Sequence, residues 1–368
     1  MRIKSIVVFK VDLPIVGTGY RLSGGRRFSK VESTFVVLET DSGLTGIGES
    51  CPLGGAYMPA FAAGLRAGLG ELAPALIGHN PLELTRINEI MDRTLSGHPY
   101  IKSAIDIACW DLLGRATKQP VYALMGGRLV DEIPFRIGLP IDDEELATAK
   151  LMRLRNSGFF LFNLKVGDSP GDDIKRIRAV VDILGVDETL VVDANRGWRV
   201  DEALWVMRSI PQEVQIYFEQ PCATYEENLA VRKATTHSII FDEGADDVDS
   251  ILRIHQDGAA QAITFKIARF GGLTKARFMR DLCVALRIPM HIQDPWGSSV
   301  VTAAVAHLAH STPERFLLGA WGGSQDVPLE TASNAPVLNR GRLSASDRPG
   351  LGVEPRFEVL GKPVAIYS

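Results

Sequence analysis

The sequence predicts an α/β fold: a (β/α)8-type barrel, of the modified TIM kind, carrying an α+β capping domain. Two observations lead there. From about residue 130 onward, short apolar strand-like runs alternate with amphipathic helix-length segments. Eight such runs end near Leu139, Val166, Asn195, Gln220, Glu243, Lys266, Gln293 and Ala320. From the second onward these ends lie roughly 23 to 29 residues apart, the period of a strand plus a helix in a parallel barrel. The competing architecture, an open doubly wound sheet, normally shows a glycine-rich phosphate loop after an early strand. The turn in that place, "GDSPG", has the wrong spacing for one.

Residues 1–125 read as the capping domain. "MRIKSIVVFKVDLP" alternates through Ile3, Ile6 and Val8, and "STFVVLETDSGLTGIGE" reads as two antiparallel strands joined at Asp41-Ser42-Gly43. Two segments follow, "AFAAGLRAGLGELAPALIG" and "YIKSAIDIACWDLLGRAT", with apolar residues at three- and four-residue steps, which predicts helices. Residues 126–324 are assigned to the barrel, some of whose helices are expected to be short or absent. The tail, 325–368, is rich in Pro, Gly and Asn and is predicted to return over the capping domain.

Composition narrows the class. At 368 residues and 46% hydrophobic, the chain can bury a large core. A formal charge of −4 with dispersed Lys and Arg argues against nucleic-acid or anionic-membrane surfaces. No apolar run reaches the ~18 residues of a membrane span, and the N-terminus alternates like a strand rather than a signal peptide. Cys51, Cys109, Cys222 and Cys283 form no CxxC pair and read as buried thiols. A soluble cytoplasmic protein is expected, assembled as a homo-oligomer.

Side chains alternate across a strand, so parity sorts the barrel interior from its outside. In "FFLFNLKVG", the large apolar face of Phe160, Phe162 and Leu164 belongs against helices, which leaves Leu161, Asn163 and Lys165 inward. The same reasoning turns inward Val191, Asp193 and Asn195 of "LVVDAN", Tyr217 and Glu219 of "QIYFEQP", Ile240 and Asp242 of "SIIFDEG", and Thr264 and Lys266 of "AITFKIA". Five consecutive strands thus deliver Lys, Asp, Glu, Asp and Lys to the C-terminal mouth, where barrel enzymes place their chemistry. A single carboxylate there is ordinarily a helix cap, and a single lysine ordinarily snorkels to water. Three acids in phase on adjacent strands repel one another unless a cation lies among them. Oxygen-only ligands suit a hard divalent ion, Mg²⁺. Lys165 and Lys266 would flank it. His307 and His310 in "HLAH" read as core or surface, and parity does not settle His291.

These residues resemble a known family. "LKVG…VVDANRGW…FEQP…FDEG…TFKIARFGGLT" resembles the enolase superfamily, specifically its muconate-lactonizing subgroup, and "SAIDIACWDLLGRATKQPVYALMGG" is similar to that subgroup's signature at the end of the capping domain. The resemblance implies that Asp193, Glu219 and Asp242 bind Mg²⁺ and that Lys165 and Lys266 act as acid and base. Substrates would be carboxylates that lose an α-proton to give an enediolate. One departure stands out: Asn163 replaces the first lysine of the subgroup's Lys-x-Lys pair, so other groups must tune Lys165. Asn163 and Asn195 are expected to support the reacting groups.

Substrate choice falls to the last strands and the cap. "HIQDPWGSS" offers Asp294 and Trp296, "LLGAWGGS" offers Trp321, and the cap loop "CPLGGAYMPAF" offers Tyr57. Aromatic faces beside an aspartate suit a cationic ring nitrogen. The pattern resembles the branch acting on proline derivatives, cis-3-hydroxyproline dehydratases and hydroxyproline betaine 2-epimerases, and implies dehydration first with 2-epimerisation as the alternative. Dipeptide epimerisation would leave the tryptophans without a task. A non-catalytic binding barrel would be marked by a missing acid or lysine, and all five are present.

Overall fold

A computed structural model of the chain describes residues 1–17, 19–139, 141 and 143–368. The cap is built on strands β1 (Ile3–Pro14), β2 (Lys30–Thr40) and β3 (Thr45–Ser50), joined by a hairpin turn at the predicted Asp41-Ser42-Gly43. Both faces of this antiparallel sheet are covered, and period-two alternation divides them. Ile3, Ile6, Val8, Val36 and Leu38 pack in one cluster with helices α1 (Ala62–Leu76), α2 (Leu84–Thr94) and α3 (Pro99–Thr117). Val7, Phe9, Val11, Phe35 and Val37 join the larger core shared with the barrel.

Helix α3 lies so close to β3 that only glycine fits between them. A Cβ on Gly48 would stand 1.9 Å from the Ala104 carbonyl oxygen, and one on Gly46 would stand 2.4 Å from that of Ala108. The opposite face of β3 presents Glu49 to the barrel.

Eight parallel strands follow: β4 (Arg136–Leu139), β5 (Leu161–Lys165), β6 (Thr189–Asp193), β7 (Ile216–Glu219), β8 (Ser238–Phe241), β9 (Ala262–Lys266), β10 (Met290–Gln293) and β11 (Leu317–Ala320). Each pairs with its sequence neighbour, and a parallel bridge between Phe135 and Ala320 closes the ring. Between them run α4 (Glu144–Asn156), α5 (Pro170–Val181), α6 (Val200–Arg208), α7 (Tyr225–Ala234), α8 (Val248–Asp257), α9 (Leu273–Ala285) and α10 (Ser299–His310). Among the described residues, the 3-10 turn Gly323–Asp326 stands after β11, where an eighth barrel helix would begin. Parity is realised: Leu161, Val191, Tyr217 and Ile240 face one space inside the barrel, and His291 joins them there.

Cap and barrel are tied by buried carboxylates that serve the N-termini of barrel helices, where backbone N–H groups lack intrahelical partners. Glu49 accepts from the Ser298 amide at 2.9 Å, the Ser298 hydroxyl at 2.7 Å and the Val301 amide at 3.1 Å, at the start of α10. Asp106 of α3 accepts from the Thr274 amide at 2.9 Å and the Thr274 hydroxyl at 2.6 Å, at the start of α9. The end of the chain returns to the cap, with β12 (Ala365–Tyr367) pairing antiparallel to β1. All four cysteines are buried free thiols. Among the described residues, no helix is long and apolar enough to cross a membrane.

Candidate active site

The parallel register sets the side chains of the strand ends beside one another. Lys165 is the register partner of Asp193, and Asp193 that of Glu219. Asp242 follows directly on β8, two residues past Ile240, the register partner of Glu219, and Lys266 ends β9. All five are buried. Buried charges must be paired, and here each carboxylate meets a cation. Lys165 forms an ion pair with Asp193 and donates to the Asn195 carboxamide oxygen at 3.2 Å. Lys266 forms an ion pair with Asp242 and donates to the Tyr57 hydroxyl at 2.6 Å.

Two arginines complete the set, and sequence reasoning missed both. Arg136 on β4 donates to Glu219 at 2.5 Å and to the Gln293 carboxamide at 3.1 Å. Arg269, in the helical turn Ile267–Phe270, donates to the Asp242 carboxylate at 3.0 Å. Arg136 was legible as a charge on the inward parity of an apolar strand. Arg269 carried no such signal, because it reaches back from beyond the strand end. Thr264 adds a hydroxyl to Glu219 at 2.7 Å.

Electrostatics separates the two lysines. Burial works against the Lys165 ammonium, but the charges of Asp193, Tyr20 and Glu219 outweigh it and raise its pKa. Burial and Arg269 prevail over Asp242 at Lys266 and lower its pKa. For Asp242, burial is outweighed by Lys266 and Arg269, which hold the carboxyl well below its usual range. Glu219 is raised by burial despite Arg136, with Asp193 and Asp242 adding to the shift.

The two lysines open onto one cavity at the barrel mouth, together with Asn163, Asn195, Tyr57, Trp296 and Trp321. Trp296 and Trp321 meet edge to face at 5.2 Å, and Tyr20 of the cap meets Trp296 likewise at 4.9 Å. Lys165 lies 5.7 Å from the Tyr20 ring centre, and Lys266 lies 5.1 Å from that of Tyr57. Tyr20 gave no signal in the sequence, because its strand, Tyr20–Arg21, is two residues long. Besides accepting from Lys165, Asn195 donates its backbone amide to Asp193 at 2.9 Å and its side-chain NH2 group to Glu243 at 3.4 Å. The Asn163 carboxamide oxygen is buried without a partner among the described residues.

Asp294 lies buried just past the end of β10. It does not line the cavity with the tryptophans. Its Oδ1 accepts from the Ala268 amide at 2.7 Å, in the first turn of Ile267–Phe270, while Oδ2 is buried without a partner among the described residues. Asp326, at the end of the 3-10 turn after β11, lines the cavity together with the tryptophans.

Three buried carboxylates on consecutive strands, with no thiol or imidazole among them, fit a hard divalent cation by donor chemistry. Among the described residues no three acidic, His or Cys groups converge as a finished cage; the lysines and arginines hold the carboxylates pairwise instead.

Comparisons with known proteins agree with this architecture. Residues 7–126 match the mandelate racemase / muconate lactonizing enzyme N-terminal domain, and residues 146–359 match the enolase C-terminal domain-like family. A cis-3-hydroxy-L-proline dehydratase of Roseibium aggregatum is 46% identical over 368 residues, covering 100% of both chains. An N-succinyl-L-Arg/Lys racemase of Bacillus cereus is 29% identical, over 98% of this chain and 97% of its own. A Roseovarius nubinhibens ISM protein solved in complex with magnesium superposes with a TM-score of 0.96 at 35% identity, covering 100% of both chains. The chain is an enzyme of the enolase superfamily, in its mandelate racemase / muconate lactonizing branch.

Proposed function

We propose that the enzyme removes the α-proton of a proline-type carboxylate, and that its main reaction dehydrates cis-3-hydroxy-L-proline to Δ1-pyrroline-2-carboxylate. The observation that carries this reading is the pair of buried lysines on the second and sixth of eight strands, opening onto one aromatic-walled cavity. Placed on opposite sides of a ring, one lysine amine takes the Cα proton. The electron pair left behind spreads onto the carboxylate, then returns to form the Cα–Cβ double bond as the C3–O bond breaks. The other lysine's ammonium protonates the departing hydroxyl, which leaves as water. The resulting enamine tautomerises to the cyclic imine. Similarity to the Roseibium dehydratase supports this choice of substrate.

Asp193, Glu219 and Asp242 would hold Mg²⁺. Bound there, the ion supplies a Lewis acid beside the substrate carboxylate as its negative charge grows. Arg136 and Thr264 orient Glu219, Arg269 orients Asp242, and Asn195 holds Asp193 and Lys165 in one geometry. The Tyr57 hydroxyl, bonded to Lys266 and to Asp242 at 3.1 Å, brings the cap loop down on the reacting side.

The contiguous rings of Tyr20, Trp296 and Trp321 also suit a quaternary nitrogen, which favours 2-epimerisation of a proline betaine as the second reading. Incubation with a panel of proline derivatives in D2O, followed by NMR, separates them. Loss of water from cis-3-hydroxy-L-proline supports the dehydratase. Rapid α-deuteration and inversion of a betaine, with hydroxyproline untouched, replaces it with the epimerase.

A further inference from the structure

We propose that Asp326 is the counter-ion of the substrate's ring ammonium, the part that the sequence assigned to Asp294. This inference rests on the proline-type reading of the same cavity and names the residue that selects a protonated ring amine within it.

The cavity lining carries groups of both charges. One part of its lining carries Lys165, Lys266 and Arg136, which suit a carboxylate. Of the acids that line it, Asp242 is already held by both Lys266 and Arg269. Asp326 enters the lining from a different element, the Gly323–Asp326 turn after the last barrel strand. Its backbone carbonyl accepts from the Val16 amide of the cap at 3.0 Å, and the Gln325 carboxamide donates to Oδ2 at 3.1 Å. These contacts fix the carboxylate where barrel and cap meet, close enough to Tyr20 for its charge to act on the phenol.

Tyr20 in turn leans on Trp296, and Trp296 on Trp321. An acid beside such a wall is the arrangement that recognises a cation carrying an apolar ring. A zwitterionic cyclic amino acid matches both parts of the lining at once.

Lys150 of α4 also lines the cavity. Burial pushes the Asp326 carboxyl up to about 6, and the Lys150 charge opposes that shift. An ammonium arriving beside a half-desolvated carboxylate therefore gains more than it would in water. A secondary amine adds N–H donors that a quaternary betaine lacks, so the residue favours the free imino acid.

The test compares two inhibitors of the same shape, L-proline and (S)-tetrahydrofuran-2-carboxylate, whose ring oxygen carries no charge. Wild-type turnover of cis-3-hydroxy-L-proline is measured first, and its absence would strike the proline reading itself. In Asp326→Asn, Ki for L-proline and KM for the substrate are expected to rise about 10- to 100-fold, the range for a lost charge-assisted hydrogen bond. Ki for the oxolane is expected to stay within about twofold, given the same loss confined to the charged ring. Equal changes for both inhibitors, or none for either, overturn the proposal. Asp326→Glu, which keeps the charge one methylene away, is expected to retain preference for proline over the oxolane. Loss of that preference in a folded Glu variant would be compatible with the proposal only if Asn also loses it, so a preference intact in the Asn variant rejects it whatever Glu does.

Discussion

Lys165 and Lys266 occupy equivalent strand ends, yet their neighbours make them unequal. Lys165 is the ion-pair partner of Asp193, whereas Lys266 shares Asp242 with Arg269. Lys165→Ala and Lys266→Ala are each expected to abolish full turnover, with one of them still exchanging the α-proton of a single enantiomer in D2O. Near-normal turnover in both would remove the two-lysine mechanism. Their stabilities should differ as well. With metal chelated, Lys165→Ala strips Asp193 of its cation and is expected to lose about 3–5 kcal/mol, as for a broken buried pair. Lys266→Ala leaves Asp242 with Arg269 and should lose less, as urea unfolding would show. Glu219→Gln leaves buried Arg136 without its counter-charge. Isothermal titration should show Mg²⁺ binding lost along with turnover. Full activity of the parent after thorough chelation would defeat the metal assignment.

At the scale of elements, strand parity was the readable signal, and it worked wherever a side chain acts from within its own strand. Leu161, Val191, Tyr217 and Ile240 face inward as parity required. Alternation still held one or two residues past strand ends, for Asp242 and Asn195. It had nothing to say of Arg269, which reaches back from a helical turn, and Asp294 was read from its neighbours in "HIQDPWGSS" rather than from parity. Tyr20 and Asp326 were illegible for a related reason, since each sits on an element too short to have a period.

Helix α10 shows the reverse, a plain "HLAH" whose core reading fits. His307 accepts from the Tyr122 amide at 3.2 Å through Nδ1 and donates to the Leu351 carbonyl at 3.0 Å through Nε2. His310 donates through Nδ1 to the Val130 carbonyl and accepts the Ala345 amide at 3.0 Å through Nε2. These partners assign both rings as neutral tautomers, and a second proton would set N–H against N–H. Burial lowers both pKa values, that of His307 to about 4, with Arg128 adding to the shift and Asp347 opposing it at both rings and Asp131 at His310. Between its ordinary 6.5 and about 4, the unfolded chain binds a proton at His307 that the native protein refuses. Stability is therefore complete above that window and falls as pH drops through it, by roughly 3 kcal/mol from His307. Thermal unfolding at several pH values should show His307→Gln to be less acid-sensitive than the parent across this range. An unchanged slope would remove the histidine from the account.

For the whole molecule, the question is what two domains achieve that a barrel alone does not. The barrel puts two lysines on opposite strands of its ring, and the cap contributes Tyr20 and Tyr57 to the same cavity. On the proposed reading, a bound ring would meet a proton-transfer group at each face. Geometry then dictates stereochemistry. In cis-3-hydroxy-L-proline the hydroxyl and the carboxylate share a ring face, which places the α-proton on the other. Removal of the proton by one lysine and protonation of the hydroxyl by the other is an anti elimination that both lysines can serve at once. The trans isomer carries proton and hydroxyl on one face, so its hydroxyl points away from the second lysine. A positioned general acid contributes on the order of 10²–10⁴ in rate, and trans should be slower than cis by a factor in that range. Parallel progress curves for pure cis and trans substrate, with pyrroline-2-carboxylate as the measured product, decide it. Equal rates would mean that one lysine handles both protons, and the opposed-lysine geometry would then no longer explain the reaction.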